Sequence, residues 1–131
     1  MEIERILSRH SDGHGYRLVI PYKFPSLNDY VKANRTNKFM GAKMKRDVQN
    51  DIGYFLMMLP KFERPIFITF TWTEGNRKRD PDNIAFAKKF ILDGLIETEK
   101  IENDTFQWIK GFTDYFEQGD EFRVVMDIKE V

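Results

Sequence analysis

A chain of 131 residues, 41% hydrophobic and 32% charged, has the size of one domain and is too apolar to be disordered and too polar to be a membrane protein. It contains no cysteine, which excludes disulfides, thiolate zinc sites and Cys nucleophiles together. The formal net charge is zero, yet residues 1 to 92 hold 17 Lys or Arg against 10 Asp or Glu (+7) and residues 93 to 131 hold 4 against 11 (−7), an asymmetry that points to a polyanion-binding face.

Met1-Glu2-Ile3-Glu4-Arg5 is mixed in charge and lacks the apolar stretch of a signal peptide, so the cytoplasm is the expected location and no membrane partner is expected. With no repeat, low-complexity tract or linker, residues 1–131 read as a single domain. Glu2 to Ser8 alternates weakly and Tyr16 to Pro21 alternates more strongly. Asp12-Gly13 between them predicts an extra N-terminal hairpin strand. Pro21 and Pro25 end that hairpin, and residues 23 to 42, rich in Asn, Lys and Gly without a period, predict a long loop. Lys32, Arg35, Lys38, Lys43, Lys45 and Arg46 fall in a stretch with no acid, which reads as a solvated face or as a phosphate-binding one.

Met44, Val48, Ile52, Phe55, Leu56 and Leu59 recur at helical spacing, so Lys43 to Leu59 is a predicted helix that Pro60 closes. Ile66 to Trp72, β-branched and aromatic, reads as a central strand ended by Gly75-Asn76. Asp80-Pro81-Asp82-Asn83 opens a second helix with the buried stripe Ile84, Ala87, Ile91 and Leu95, and Asp93-Gly94 is expected at its C-terminal end. Thr105 to Phe116 and Glu121 to Val131 read as a last hairpin about the turn Glu117 to Asp120. The expected fold is α+β, a mixed β-sheet of about four strands with two main helices packed on it.

The chemistry concentrates between Arg77 and Asp104. Asp80 and Asp82 follow the cationic run Arg77-Lys78-Arg79, and residues two apart in extended chain share a face, so both carboxylates can point at one hard cation such as Mg²⁺. Helix capping accounts for the same pair without a metal. Lys89, seven positions after Asp82, shares that residue's face about 10.5 Å along the axis, and helical side chains lean back toward the N-terminus. Asp104 is a third carboxylate entering from another element, or an ordinary turn Asp. His10 and His14 flank the predicted turn, as surface histidines or as a two-histidine metal site. Most of the 19 aromatic residues, Phe62 and Trp108 among them, belong to an expected core, whereas Tyr30 and Phe39 lie in the basic stretch and are candidates to stack on unpaired bases.

Arg79-Asp80-Pro81-Asp82-Asn83, then Lys89, then Leu92-Asp93-Gly94-Leu95, then Asn103-Asp104 resembles the pattern of the RusA family of Holliday-junction resolvases, metal-dependent endodeoxyribonucleases common in phages and prophages. The family's interval between the helix-end Asp and the next Asp is reproduced from Asp93 to Asp104, and Pro25-Ser26-Leu27-Asn28 resembles its Pro-Ser-x-Asn opening. The resemblance covers roughly residues 16 to 129. It implies that Asp80, Asp82 and Asp104 bind the metal, that Lys89 is the helper base or charge stabiliser, and that a homodimer cuts both strands of a four-way DNA junction. Lys89 matches only when counted back from Asp93, so Lys88 is its rival. Asn103 stands where the family often has a second Asp. An all-oxygen ligand set suits Mg²⁺ or Mn²⁺. The expected activity is hydrolysis of phosphodiesters in DNA recombination or repair. Arg77, Lys78, Arg79 and the basic stretch from Lys32 to Arg46 would hold the phosphate backbone. The other expectation is a structure-selective nucleic-acid-binding module without catalysis.

Overall fold

The computed structural model describes residues 6–131. In chain order the elements are β1 (Leu7–Arg9), β2 (Gly15–Ile20), α1 (Leu27–Thr36), α2 (Lys38–Leu56), β3 (Ile66–Glu74), α3 (Pro81–Ala85), α4 (Lys88–Glu97), β4 (Ile109–Gln118) and β5 (Arg123–Glu130). The strands form one five-stranded mixed sheet in the order β1-β2-β5-β3-β4, and the fold is α+β. Most of the strand expected over Glu2 to Ser8 lies outside the described residues, and β1 pairs with β2 in the predicted N-terminal hairpin.

Along β3 buried and partly exposed residues alternate through Trp72, as a strand with one covered face requires. Ile66, Ile68, Phe70 and Trp72 join Leu18, Ile20, Val124, Met126 and Ile128 of the neighbouring strands in one core. Val48, Ile52 and Leu56 of α2, with Ile84, Ala87, Ile91 and Leu95 of the α3–α4 segment, close that core from the helical side. The apolar stripe predicted from Ile84 to Leu95 is therefore buried, although the helix breaks at Phe86-Ala87. No helix among the described residues is long and apolar enough to cross a membrane.

Three expectations are corrected. Residues 23 to 42 are not a loop: they contain α1 and the start of α2. A capping box starts α1, with Ser26 Oγ accepting from Asp29 N at 3.0 Å and Asp29 Oδ2 accepting from Ser26 N at 2.9 Å. The strands β4 and β5 are not a hairpin either, because β3 lies between them, antiparallel to β5 and parallel to β4. The helices α3 and α4 supply the crossover that a parallel pair needs, and Gly119 N donates to Glu74 O at 3.0 Å where the last turn passes over the end of β3. Finally, Gly94 is inside α4 rather than at its end. A Cβ there would stand 2.6 Å from Leu56 Cδ1, so the glycine permits α2 and α4 to approach, and the left-handed residue past the helix is Glu99 (φ 60°).

The link from β2 to α1 is pinned by Tyr22, whose hydroxyl donates to Asp51 Oδ2 at 2.9 Å and whose ring meets Phe24 edge-on at 4.9 Å. Burial, then the bond to Asp51, push the Tyr22 pKa up to about 12. An ultraviolet titration of the protein against its Tyr22→Phe variant is expected to show a tyrosine with that midpoint. The folded value exceeds the unfolded value of about 10, so the contribution to stability is complete below about pH 10 and is lost as pH rises through the folded value.

Candidate metal and nucleic-acid site

The β3 strand ends at Glu74, which is only 8% exposed. A buried carboxylate needs a partner, and Arg79 folds back to supply it: Nε donates to Oε1 at 2.7 Å and Nη2 to Oε2 at 2.8 Å. The third guanidinium nitrogen, Nη1, donates to Phe24 O at 2.6 Å, and the group lies over the Phe122 ring. Arg79 thus ties the end of β3 to the β2–α1 link and the last turn. Its expected role as a phosphate contact is corrected, since its charge is neutralised internally. Of its neighbours, Arg77 donates from Nε to Gln118 Oε1 at 2.5 Å, and both Arg77 and Lys78 are exposed.

This anchoring sets the position of the next residues. Asp80 occupies the N-cap position of α3 in extended conformation, yet its side chain makes no capping hydrogen bond, so the capping account does not explain it. Asp82 lies in the first turn of the same helix. Both carboxylates are exposed, and neither enters an ion pair among the described residues. Asn83 Oδ1 accepts from Asn28 N at 3.0 Å, which brings the Pro25–Asn28 segment against the Arg79–Asn83 segment.

Asp104 does not join them within one chain. The parallel register pairs Ile66 with Ile109 and Glu74 with Gln118. Asp80 and Asp82 follow the C-terminal end of β3, whereas Asp104 precedes the N-terminal end of β4. The two ends of such a strand are on the order of 25 Å apart. Among the described residues no group of three His, Cys, Asp or Glu side chains is placed to hold a metal ion. The expected convergence of three carboxylates is thus corrected to an exposed pair. That pair still fits Mg²⁺, which takes one or two carboxylates and completes its shell with waters and substrate phosphates.

The lysines separate. Lys89 does not lean back toward Asp80 and Asp82; its Nζ lies 3.3 Å from Asp93 Oδ2, one turn further along α4. Lys88 is the fixed one. Its ammonium contacts Asp114 Oδ2 at 2.5 Å and lies over the rings of Phe112 and Phe70, while Trp72 Nε1 donates to Asp114 Oδ1 at 2.9 Å. Asp114 was not singled out from the sequence. Its signal is a charge between Phe112 and Phe116 on one face of a strand.

The basic residues stand on the α1–α2 helical pair instead of in a loop. Lys45 is held by Asp93 at 3.0 Å, a bond that raises its pKa against the opposing effect of burial. Lys43 pairs with Asp47 at 2.7 Å on the surface. Lys32, Arg35, Lys38 and Arg46 are exposed and have no acidic partner among the described residues. Each of these that contacts a duplex phosphate adds about 0.9 to the slope of log K against log salt. If the helical pair binds duplex DNA, fluorescence anisotropy is expected to show a flatter slope for Lys32→Gln and Arg35→Gln and an unchanged one for Lys45→Gln.

Of the remaining aromatic candidates, Phe39 is exposed at the tip of the helical pair and the others are not free to bind. Tyr30 packs on Phe86 and Phe90 at 5.4 and 5.8 Å, and Phe62 is buried. His10 Nε2 lies 2.9 Å from Asp127 Oδ1, which Arg17 also bonds, while His14 is exposed, so the two histidines do not form a metal site. No family model and no curated protein matches the chain.

Proposed function

We propose that the chain is a Mg²⁺-dependent endodeoxyribonuclease of the Holliday-junction resolvase type, acting in the cytoplasm on four-way DNA junctions in recombination or repair. The observation that carries this reading is the contact between Asn28 and Asn83, because it joins two separate segments of the RusA-like pattern beside two exposed carboxylates that enter no ion pair among the described residues. Asp80 and Asp82 would hold the cation. A divalent ion there supplies charge neutralisation for an in-line displacement by water that leaves 5′-phosphate and 3′-hydroxyl ends. Arg77, Lys78 and the unpaired cations of the helical pair hold the flanking phosphates, whereas the charge of Lys88 is taken up by Asp114 as that of Arg79 is by Glu74.

Asp104 can enter the site only from a second copy of the chain, in the homodimer that paired cutting of two strands requires. A synthetic four-way junction incubated with protein and Mg²⁺ tests the reading: cleavage by the wild type, lost in Asp82→Asn with binding kept, is the expected result. The lack of a three-carboxylate group among the described residues favours a second reading, a structure-selective binding module, for which junction binding without any cleavage is the mark.

A further inference from the structure

The tip of the α1–α2 pair presents an aromatic side chain that neither the core nor the carboxylate site uses. Asn37 alone separates the two helices and fastens both, donating from N to Ala33 O at 3.2 Å and accepting at Oδ1 from Met40 N at 2.9 Å. Gly41 seats against Asn34, whose Oδ1 would stand 2.0 Å from a Cβ at that position. The tip is thus a braced corner. From it Phe39 projects with 73% of its surface exposed and Met40 with 46%. A lone exposed ring is ordinary on a protein surface; what sets this one apart is its place on a braced corner beside Lys38.

Its surroundings select the partner's chemistry. Lys38 Nζ lies 5.7 Å from the Phe39 ring centroid, and Lys32, Arg35 and Lys38 carry positive charge with no acid paired to it among the described residues. The other strongly exposed aromatics differ in this respect: Tyr54 comes three residues after Asp51, Phe106 follows Glu102 and Asp104, and Tyr115 and Phe116 lie between Asp114 and Glu117. A cation over the ring, with further unpaired cations on the same helical pair, fits a polyanion that also offers flat faces. In closed duplex those faces are occupied by neighbouring bases, whereas an unpaired nucleotide exposes one.

We propose that Phe39 is a stacking platform for an unpaired nucleotide of DNA, with Lys38 and Arg35 on the flanking phosphates. This rests on the nucleic-acid reading above and adds to it the DNA feature that the helical tip selects. Base–aromatic stacking makes a bulged duplex bind on the order of tenfold tighter than the same duplex fully paired.

The test is equilibrium anisotropy in EDTA with two labelled duplexes that differ only by a short thymidine bulge. The wild type and Phe39→Trp are expected to prefer the bulged duplex by that factor. Phe39→Ala and Phe39→Leu are expected to lose the preference while keeping the affinity for paired duplex. Equal affinity of the wild type for both duplexes, or an undiminished preference in Phe39→Ala, overturns the proposal. A preference kept by Phe39→Leu marks a generic apolar contact of the kind a protein partner makes, and overturns it too. EDTA removes divalent ions, so the outcome is independent of cleavage, and the platform and the nuclease reading fail separately.

Discussion

Arg79→Ala is expected to destabilise the fold by about 3–5 kcal/mol, read as a lower urea midpoint at unchanged slope. The large value follows from what is left behind: Glu74, 8% exposed, loses both guanidinium bonds, and Phe24 O loses its donor. Removing both charges is a milder change, since apolar groups of similar volume often replace a buried pair without loss. Glu74→Leu with Arg79→Met is therefore expected to recover most of the stability, short by roughly 1–3 kcal/mol for the orphaned Phe24 carbonyl. A cost below about 1 kcal/mol for Arg79→Ala, the range of an exposed pair, would release the guanidinium from its structural role and return it to the phosphate-binding set. The loop that this pair anchors carries Asp80 and Asp82, so the same variant is expected to weaken any function of those carboxylates.

What could be read without coordinates depended on how local the cause was. Ile66 to Trp72 and the stripe from Ile84 to Leu95 are buried as their periods indicate, because each period reports a face of one element. The α1 helix escaped notice because Ala33 is its only buried residue, too thin a stripe to register among Asn and Lys. Its capping box, Ser26 with Asp29, was the available signal. The turn from Glu117 to Asp120 is real, but a turn does not say whether its flanking strands pair with each other, and here β3 takes the place between them. Asp104 shows the same limit at the candidate site. Its spacing from Asp93 fits the RusA-like pattern, yet spacing along the chain does not reveal which end of a parallel sheet a residue occupies. Lys88 and Lys89 are adjacent in sequence, and only the packing of α4 on β4 separates the one held by Asp114 from the one held by Asp93.

The placement of Asp104 leads to the expectation with the largest effect. On the proposed nuclease reading, loss of a cation-binding carboxylate removes several kcal/mol of transition-state stabilisation, so Asp82→Asn is expected to slow junction cleavage about a thousandfold. Asp104→Asn is expected to do the same, although its carboxylate lies at the opposite end of the sheet from Asp82 in its own chain. If the partner copy supplies it, the two inactive variants complement each other. A mixed dimer has one site with both carboxylates intact and one site lacking both. The mixture is therefore expected to cut one strand, giving nicked junctions without resolved products, whereas either variant alone gives neither. Recovery depends on exchange of subunits, so the variants are unfolded and refolded together before the assay. A refolded mixture that stays inactive would confine the carboxylate site to a single chain. Full cleavage by Asp104→Asn alone would remove that residue from the chemistry and leave Asp80 and Asp82 to bind the cation with substrate phosphate and water.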